Sequence, residues 1–271
     1  ATPPGYQRRY IVLCHKLGIP VIFEKPFMLE SKLVQDIVRA GHRVYPAYQM
    51  AYDPLIQKLF QLVPKPRQLV RIMAVQRVHG IPLEWKSSRK LSGGGTLIDN
   101  GSHFVHLAIT YLGLPRAVQG VVGGIKNSIE SRADAILDYE HFRFYIHTDW
   151  MSAVGKESRL SVFTRRRDIH FIETNQQRKL WTEEAELKNG WGKHLHSHYY
   201  LPRGLERNLR SDPLNLRADQ MATDLMLEAF LSDLNNRSMN FVRRELGIAL
   251  NTQRVIRALY RSARQGTSVA I

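Results

Sequence analysis

The stretch from Gly93 to His103 contains the residues best suited to chemistry, because three consecutive glycines precede an Asp99-x-x-x-His103 pair. On the helix that should follow the glycines, Asp99 and His103 lie about one turn apart on the same face. Histidine, with an ordinary pKa of about 6.5, can accept a proton from a hydroxyl group near neutral pH, and a carboxylate one turn away can orient it. The pair therefore predicts a site of acid/base catalysis.

A structural interpretation of the same residues stays open. Thr96-x-x-Asp99 resembles a helix capping box, in which Asp99 would only accept hydrogen bonds from backbone N–H groups at the helix start. Asp99, His103, His106 and Thr110 could then form a solvated polar stripe along the helix. The local pattern does not decide between these two interpretations.

Lys25 is a second candidate, because it closely follows Val21-Ile22-Phe23, a short apolar run typical of a strand buried on both faces. Ligands bind to open parallel sheets at the carboxyl ends of the strands, so a lysine at that end has a functional position. Alternatively, Glu24-Lys25-Pro26 is ordinary turn chemistry at the end of a strand.

The elements that must position these residues change character near residue 50. Residues 8–17 and 30–40 are predicted helices that alternate with strands at 21–23 and 44–48, which indicates an α/β region with a parallel sheet. Further helices are predicted at 54–62, 96–112, 217–234 and 245–264. Strands are predicted near 68–78, 116–124, 133–139, 142–150, 159–164, 168–173 and 267–271, several of them as hairpins. This second region is predicted to be α+β with a mostly antiparallel sheet.

Composition restricts the class of protein. The chain has 271 residues, of which 44% are hydrophobic, enough for one large or two small domains, and no apolar run approaches the roughly 20 residues that span a bilayer. Cys14 is the only cysteine, so an intramolecular disulfide is excluded and a cytoplasmic location is expected. The net charge of +15 suits an anionic partner, but the basic residues are spread along the chain as on a solvated surface.

His194, His196 and His198 alternate within a polar, basic segment, 183–216, that we interpret as a long loop or insertion. Three imidazoles on one side of a strand could bind zinc. No cysteine or closely placed carboxylate completes such a site, so we predict no metal.

Several short motifs, taken together in order and spacing, resemble the Gfo/Idh/MocA family of glucose-fructose oxidoreductases and inositol dehydrogenases. The motifs are Ala1-Thr2-Pro3-Pro4, Glu24-Lys25-Pro26, Tyr52-Asp53-Pro54, Trp85 ahead of Gly93-Gly94-Gly95, Asp99-x-x-x-His103, Tyr111-Leu112-Gly113, Asp134, Trp150, and Ala258 to Ala263 before Gly266. The resemblance implies that residues 1–50 are the C-terminal part of a dinucleotide-binding Rossmann domain. Residues 51–271 would be the substrate-binding and oligomerisation domain, an α+β unit whose open sheet carries helices on one face.

The resemblance also implies roles for individual residues. Lys25 would bind the reacting hydroxyl and the nicotinamide, His103 would be the general acid/base, and Asp99 would orient substrate or histidine. The remaining implied contacts are cofactor binding by Thr2, Pro3, Pro4, Glu24, Lys25 and Pro26, and substrate binding by Trp85, Asp99 and His103. The implied reaction is NAD- or NADP-dependent hydride transfer to or from a sugar, cyclitol or related polyol, in a homo-oligomer with no membrane partner.

One part of the family pattern is missing from this sequence. The family begins with a strand and a Gly-x-Gly-x-x-Gly turn that binds the pyrophosphate, and no such motif occurs here, so we expect the chain to begin just after the fourth Rossmann strand. Two other function classes therefore stay open. One is a cofactor-free binding or scaffold protein derived from the family; the other, from charge alone and disfavoured by the spread of the basic residues, is nucleic-acid binding.

Overall fold

The computed structural model describes residues 2–27, 31–63, 65–80, 84–153, 155–174, 178–187, 193–200, 216–236 and 238–271. Its first elements are α1 (Gln7–Lys16), β1 (Val21–Glu24), α2 (Ser31–Arg39) and β2 (Val44–Ala47). β1 and β2 pair in parallel, with Val21 opposite Val44 and Glu24 opposite Ala47. The predicted helix–strand alternation and the parallel pairing are confirmed.

The rest of the chain forms a large sheet and the helices that cover it. The elements are α3 (Pro54–Leu62), β3 (Leu69–Arg77), α4 (Arg89–Ser92), α5 (Ser102–Leu112), β4 (Ala117–Gly123), β5 (Arg132–Asp138), β6 (Arg143–Asp149), β7 (Glu157–Thr164), β8 (Arg167–Thr174), β9 (Arg178–Leu187), β10 (Lys193–Tyr200), α6 (Leu216–Leu234), α7 (Asn240–Gln265) and β11 (Val269–Ala270). The strand order is β10-β9-β8-β7-β3-β6-β5-β4-β11. β3 and β6 are parallel and the other neighbours are antiparallel, as predicted for most of the sheet.

Alternation of side chains along the strands explains why one face of this sheet is covered. In β5, for example, Ala133, Ala135 and Leu137 are buried while Arg132 and Asp134 face solvent. The buried side chains join α3, α5 and α7 in one hydrophobic core. A second core surrounds β1 and β2 and includes residues of α6 and α7, so the last two helices pack against the first sheet as well.

The interpretation of residues 183–216 as a loop or insertion is wrong for 183–187 and 193–200. These residues belong to β9 and β10, which pair antiparallel from Leu187–Lys193 to Leu180–Tyr200. The composition of these segments is largely polar, which hid the strands from sequence reasoning. Residues 201–215 lie outside the described residues.

The predicted helix at 96–112 is two elements. Leu97–Gly101 is a π-helical turn and α5 continues from Ser102. No side-chain cap is formed by Thr96, and Asp99 does not cap the helix, so the capping-box interpretation is wrong. Asp99, His103 and His106 are all buried, which also excludes the solvated stripe.

Candidate functional site

Asp99 forms the centre of a buried charge cluster. Lys25 Nζ donates to Asp99 Oδ1 at 2.8 Å and to the Asp99 backbone oxygen at 3.0 Å, while Lys86 Nζ donates to Asp99 Oδ2 at 2.6 Å. Lys25 follows β1, Lys86 precedes α4, and the π-helical turn presents the Asp99 side chain to both. Both carboxylate oxygens are thus occupied by lysines from two separate segments.

The charges in this cluster keep Asp99 ionised. Burial by itself raises the pKa of this carboxyl, but the positive charges of Lys25 and Lys86 outweigh burial and lower the pKa to about 2. The three side chains together carry one net positive charge, and the imidazole of His103 is close enough to be affected by it.

His103 lies one turn further along and is a neutral base in this environment. Burial and the charge of Lys25 push its pKa well below 6.5, while Asp99 acts in the opposite direction. Tyr48 approaches the ring edge-on with centroids 6.3 Å apart, and the same tyrosine stacks on His106 at 4.0 Å. Among the described residues, no hydrogen bond joins His103 to Asp99, so the expected carboxylate–imidazole contact is replaced by interaction through charge.

A cavity of about 220 Å³ lies beside His103. Its lining comes from the segment after β2, from α3, β3 and α5, from β7 and the residue before it, and from β8 and α6. The lining residues are Gln49, Met50, Asp53, Ile56, Gln76, His103, Lys156, Ser158, Phe171, Glu173, Ala222 and Thr223. Four buried polar atoms of lining residues have no hydrogen-bond partner in the part of the chain described: Gln49 Oε1, Gln76 Oε1, His103 Nδ1 and Ser158 Oγ. An unpaired buried polar group costs about 1–3 kcal/mol, so four of them around one cavity make it a polar site that a hydrogen-bonding ligand or water can fill.

Paired charges form part of the cavity wall. Arg178, whose side chain is fully buried, forms salt bridges with Asp53 and with Glu173, the latter at 3.2 Å. Lys156 Nζ lies 2.8 Å from Glu173 Oε1. Asp53 also accepts hydrogen bonds from Leu55 N and Ile56 N at the start of α3. These four charges sum to zero, so the wall offers donors and acceptors without a net charge.

The glycine-rich turn is fixed by a second buried carboxylate. Glu130 Oε1 accepts hydrogen bonds from Gly95 N at 3.0 Å, Leu97 N at 3.1 Å and Tyr260 Oη at 2.6 Å. A Cβ atom at Gly95 would lie 1.9 Å from the Glu130 backbone oxygen, so only glycine allows this approach. The turn therefore positions the Asp99 segment against β5 and α7.

The remaining predicted site residues do not line the His103 cavity. Thr2 and Glu24 line a cleft of about 400 Å³ along the edge of β1, and this cleft shares Thr223 with the His103 cavity. Pro26 lines a different cavity, next to α7. Pro3 and Pro4 begin the chain's first helical turn. Trp85 does not line the His103 cavity; its ring centroid is 5.7 Å from Lys86 Nζ.

His194, His196 and His198 lie on β10, but their side chains are outside what the structure describes. Within the described residues, no group of three or more histidine, cysteine, aspartate or glutamate side chains could hold a metal ion.

Sequence reasoning missed several residues that the structure brings to the site. Four of them stand in no recognisable motif: Lys86, Gln76, Ser158 and Arg178. Each reaches the site through contacts that the tertiary fold makes. Gln49 lies in Tyr48-Gln49-Met50-Ala51, directly before the Tyr52-Asp53-Pro54 motif. Its position next to that motif is the one signal that could have pointed to it.

Residues 68–170 match the family model described as the GFO/IDH/MocA C-terminal domain. Over this range the chain is similar to the C-terminal domain of the Gfo/Idh/MocA family. The resemblance drawn from the short motifs is thereby confirmed, and the matched range includes Trp85, Asp99 and His103. Lys25 and the residues before it lie outside the matched range. No curated protein matches the chain.

Solved structures of oxidoreductases share the fold. An NAD binding oxidoreductase from Klebsiella pneumoniae superimposes with a TM-score of 0.75 at 15% identity, over 100% of this chain and 78% of that one. An aldose-aldose oxidoreductase from Caulobacter crescentus, complexed with glycerol, gives 0.72 at 18% identity, over 100% and 78%. Levoglucosan dehydrogenase, in complex with NADH and levoglucosan, gives 0.75 at 14% identity, over 100% and 79%.

No helix among the described residues is long and apolar enough to cross a membrane.

Proposed function

We propose that this protein is an NAD(P)-dependent oxidoreductase that transfers a hydride between nicotinamide and a carbinol carbon of a sugar, cyclitol or related polyol. The observation that carries the proposal is the set of four unpaired polar atoms around the His103 cavity. Alternating hydroxyls of a polyol can donate to the amide oxygens of Gln49 and Gln76 and to the imidazole. An apolar ligand would leave these atoms unpaired.

Similar proteins support the same class of substrate and cofactor. The structural neighbours include a dehydrogenase bound to NADH and levoglucosan and an oxidoreductase bound to glycerol. One structural neighbour is described as NAD binding and another as NADPH-dependent, so the proposal leaves the choice between NAD and NADP open.

The residues present fit the reacting end of a nicotinamide cofactor. His103 has an unpaired Nδ1 atom beside a cavity that shares the lining residue Thr223 with the cleft lined by Thr2 and Glu24. In the proposal, Thr2, Pro3, Pro4, Glu24, Lys25 and Pro26 would hold the nicotinamide end. When it is bound, the nicotinamide cofactor supplies the hydride acceptor for alcohol oxidation.

The residues of this chain would manage the proton that leaves the alcohol. His103 is neutral at neutral pH and accepts the hydroxyl proton while the carbinol C–H bond breaks and the carbonyl forms. Lys25, held by Asp99, places a positive charge near the oxygen on which negative charge develops. In the reverse direction, protonated His103 returns the proton to that oxygen.

Calorimetry of the natural full-length protein tests the binding part of the proposal. Glucose, sorbitol and inositol are titrated into wild-type protein and into Gln76→Leu, which removes one of the unpaired acceptors at little change in volume. We expect the best-bound polyol to lose about tenfold in affinity in Gln76→Leu, since one hydrogen bond to a hydroxyl is lost. Gln68→Leu, at an exposed glutamine just before β3, is the matched control and should bind as wild type. Equal binding by Gln76→Leu, or no binding of any polyol, would contradict the proposal.

The pKa of His103 predicts how activity depends on pH. Because the pKa is well below 6.5 and the neutral ring is the active base, kcat/KM for alcohol oxidation should stay constant as the pH falls through 6.5 and decline only at more acidic pH. Asp99→Asn removes the negative charge that raises this pKa, so the acidic decline should move to still lower pH. A pH profile of kcat/KM, with histidine-ring NMR to assign the titration, measures both. A decline centred at pH 6.5 or above in the wild type would refute the assignment.

Three further expectations stay predictions. They are the domain boundary near residue 50, a homo-oligomer formed through the open sheet, and a cytoplasmic location.

A further inference from the structure

A second cavity, of about 310 Å³, has a lining that shares no residue with that of the His103 cavity. Ser102 lines it, whereas the next residue, His103, lines the first cavity. It is bounded by Pro26 and Phe27 after β1, by the glycine-rich turn, and by one face of α7. We call it the arginine cavity, because Arg89, Arg257, Arg261 and Arg264 are among its lining residues.

The four arginines of this cavity come from two helices, α4 and α7. Arg257, Arg261 and Arg264 are spaced by four and three residues along α7, so they project from the same face of the helix, and all three are exposed. Arg89, from α4, reaches the cavity from a separate element and donates to the Ser128 backbone oxygen at 3.0 Å. Like charges at these spacings repel one another, so the arrangement costs stability in the absence of an anion.

No acidic side chain neutralises this set. The described lining of the cavity contains no aspartate or glutamate, and Arg257, Arg261 and Arg264 have no salt bridge within the described residues. Glu130, behind Tyr260, is engaged by Gly95 N, Leu97 N and the tyrosine hydroxyl. Three of the four guanidinium groups at this opening thus have no salt-bridge partner among the described residues, and Arg89 is held by a backbone carbonyl oxygen. Guanidinium groups of this kind match the oxygens of a phosphate group.

The floor of the cavity adds an independent observation. Gln253 is only 7% exposed, and its Nε2 atom has no hydrogen-bond partner among the described residues. A ligand hydroxyl or phosphate oxygen would satisfy this buried donor. Ile256, Phe27 and Tyr48 are buried beside it and offer an apolar wall. A volume of about 310 Å³ is near the lower end of small-molecule sites, which span about 300–1,000 Å³.

We propose that the arginine cavity is a second ligand site, distinct from the His103 cavity, that binds a small phosphomonoester through the four arginines and the Gln253 amide. The phosphate lies at the exposed arginine mouth and the carbon body of the ligand lies against Ile256 and Phe27. The site does not depend on the proposed redox function, because none of its arginines contacts the His103 cavity.

Calorimetry with inorganic phosphate, glycerophosphate and unphosphorylated glycerol tests this site in the natural full-length protein. We expect glycerophosphate to bind with one-to-one stoichiometry, more tightly than inorganic phosphate, and glycerol not to bind there. The double variant Arg257→Gln, Arg261→Gln should lose at least tenfold in affinity for glycerophosphate. Arg254→Gln, on the same helix but outside the cavity lining, is the matched control and should bind as wild type.

A second variant separates ligand binding from folding. Gln253→Leu removes an unpaired buried donor, so the free protein should unfold at the same or a higher temperature, while its affinity for glycerophosphate should fall about tenfold. Three results would overturn the proposal: no binding of either phosphate, an equal loss in Arg254→Gln, or loss of glycerophosphate binding in His103→Asn. The last two would assign the phosphate to a diffuse basic surface or to the first cavity.

Discussion

Replacing His103 by asparagine should lower kcat/KM for polyol oxidation by about 100- to 10,000-fold, the range that a positioned general base contributes. Asparagine keeps a polar group of similar size beside the cavity but cannot accept the hydroxyl proton. Polyol affinity should change much less than turnover, because the other cavity-lining polar groups remain. Steady-state kinetics and calorimetry of the same preparation measure the two effects separately.

His106→Asn is the matched control for this experiment. His106 is also a buried histidine of α5, with burial lowering its pKa to about 3, but it stacks on Tyr48 and does not line the cavity. It should retain kcat/KM within about tenfold even if stability falls. If His103→Asn were as active as wild type, or if both variants lost activity equally, His103 would not be the base.

Replacing Arg178 by methionine should destabilise the protein by about 3–5 kcal/mol, because it leaves two buried carboxylates without their shared partner. Arg178 is fully buried and pairs with Asp53 and Glu173, so the variant breaks a network that also forms a wall of the His103 cavity. Urea unfolding followed by circular dichroism gives the free-energy difference.

Arg159→Met, on β7 two strands away in the same sheet, provides the comparison. Arg159 is half exposed and pairs with Glu157 at 3.1 Å, and an exposed pair contributes about 0–1 kcal/mol. A loss below about 1 kcal/mol in Arg178→Met would mean that the buried network does not hold β8 and β9 against α3.

Much of the fold follows from local pattern. The apolar run Val21-Ile22-Phe23 and the helical spacing on either side of it are enough to predict the parallel pair, and Asp53-Pro54 marks the start of α3. β9 and β10 could not be predicted in the same way. Their pairing is set by neighbouring strands, and their own sequence is polar.

The site was predictable only in part, for the same reason. Asp99 and His103 are close in sequence, so a helical pattern brings them together, whereas Lys86 and Arg178 reach their partners only through the tertiary fold. The contacts of Asp99 were not foreseen either, because two lysines occupy the carboxylate that was expected to orient substrate or histidine. The arginine face of α7 was visible in the spacing of Arg257, Arg261 and Arg264, but the cavity it borders was not.

The most direct test of the central claim follows the hydrogen atom itself. The natural full-length protein is incubated with NAD⁺ or NADP⁺ and a polyol deuterated at its carbinol carbons, and the reduced cofactor is analysed by mass spectrometry. We expect deuterium in the nicotinamide ring of the reduced cofactor, at a rate that falls sharply in His103→Asn. Absence of reduced cofactor with every polyol tested, or loss of the deuterium to water, would contradict hydride transfer at this site.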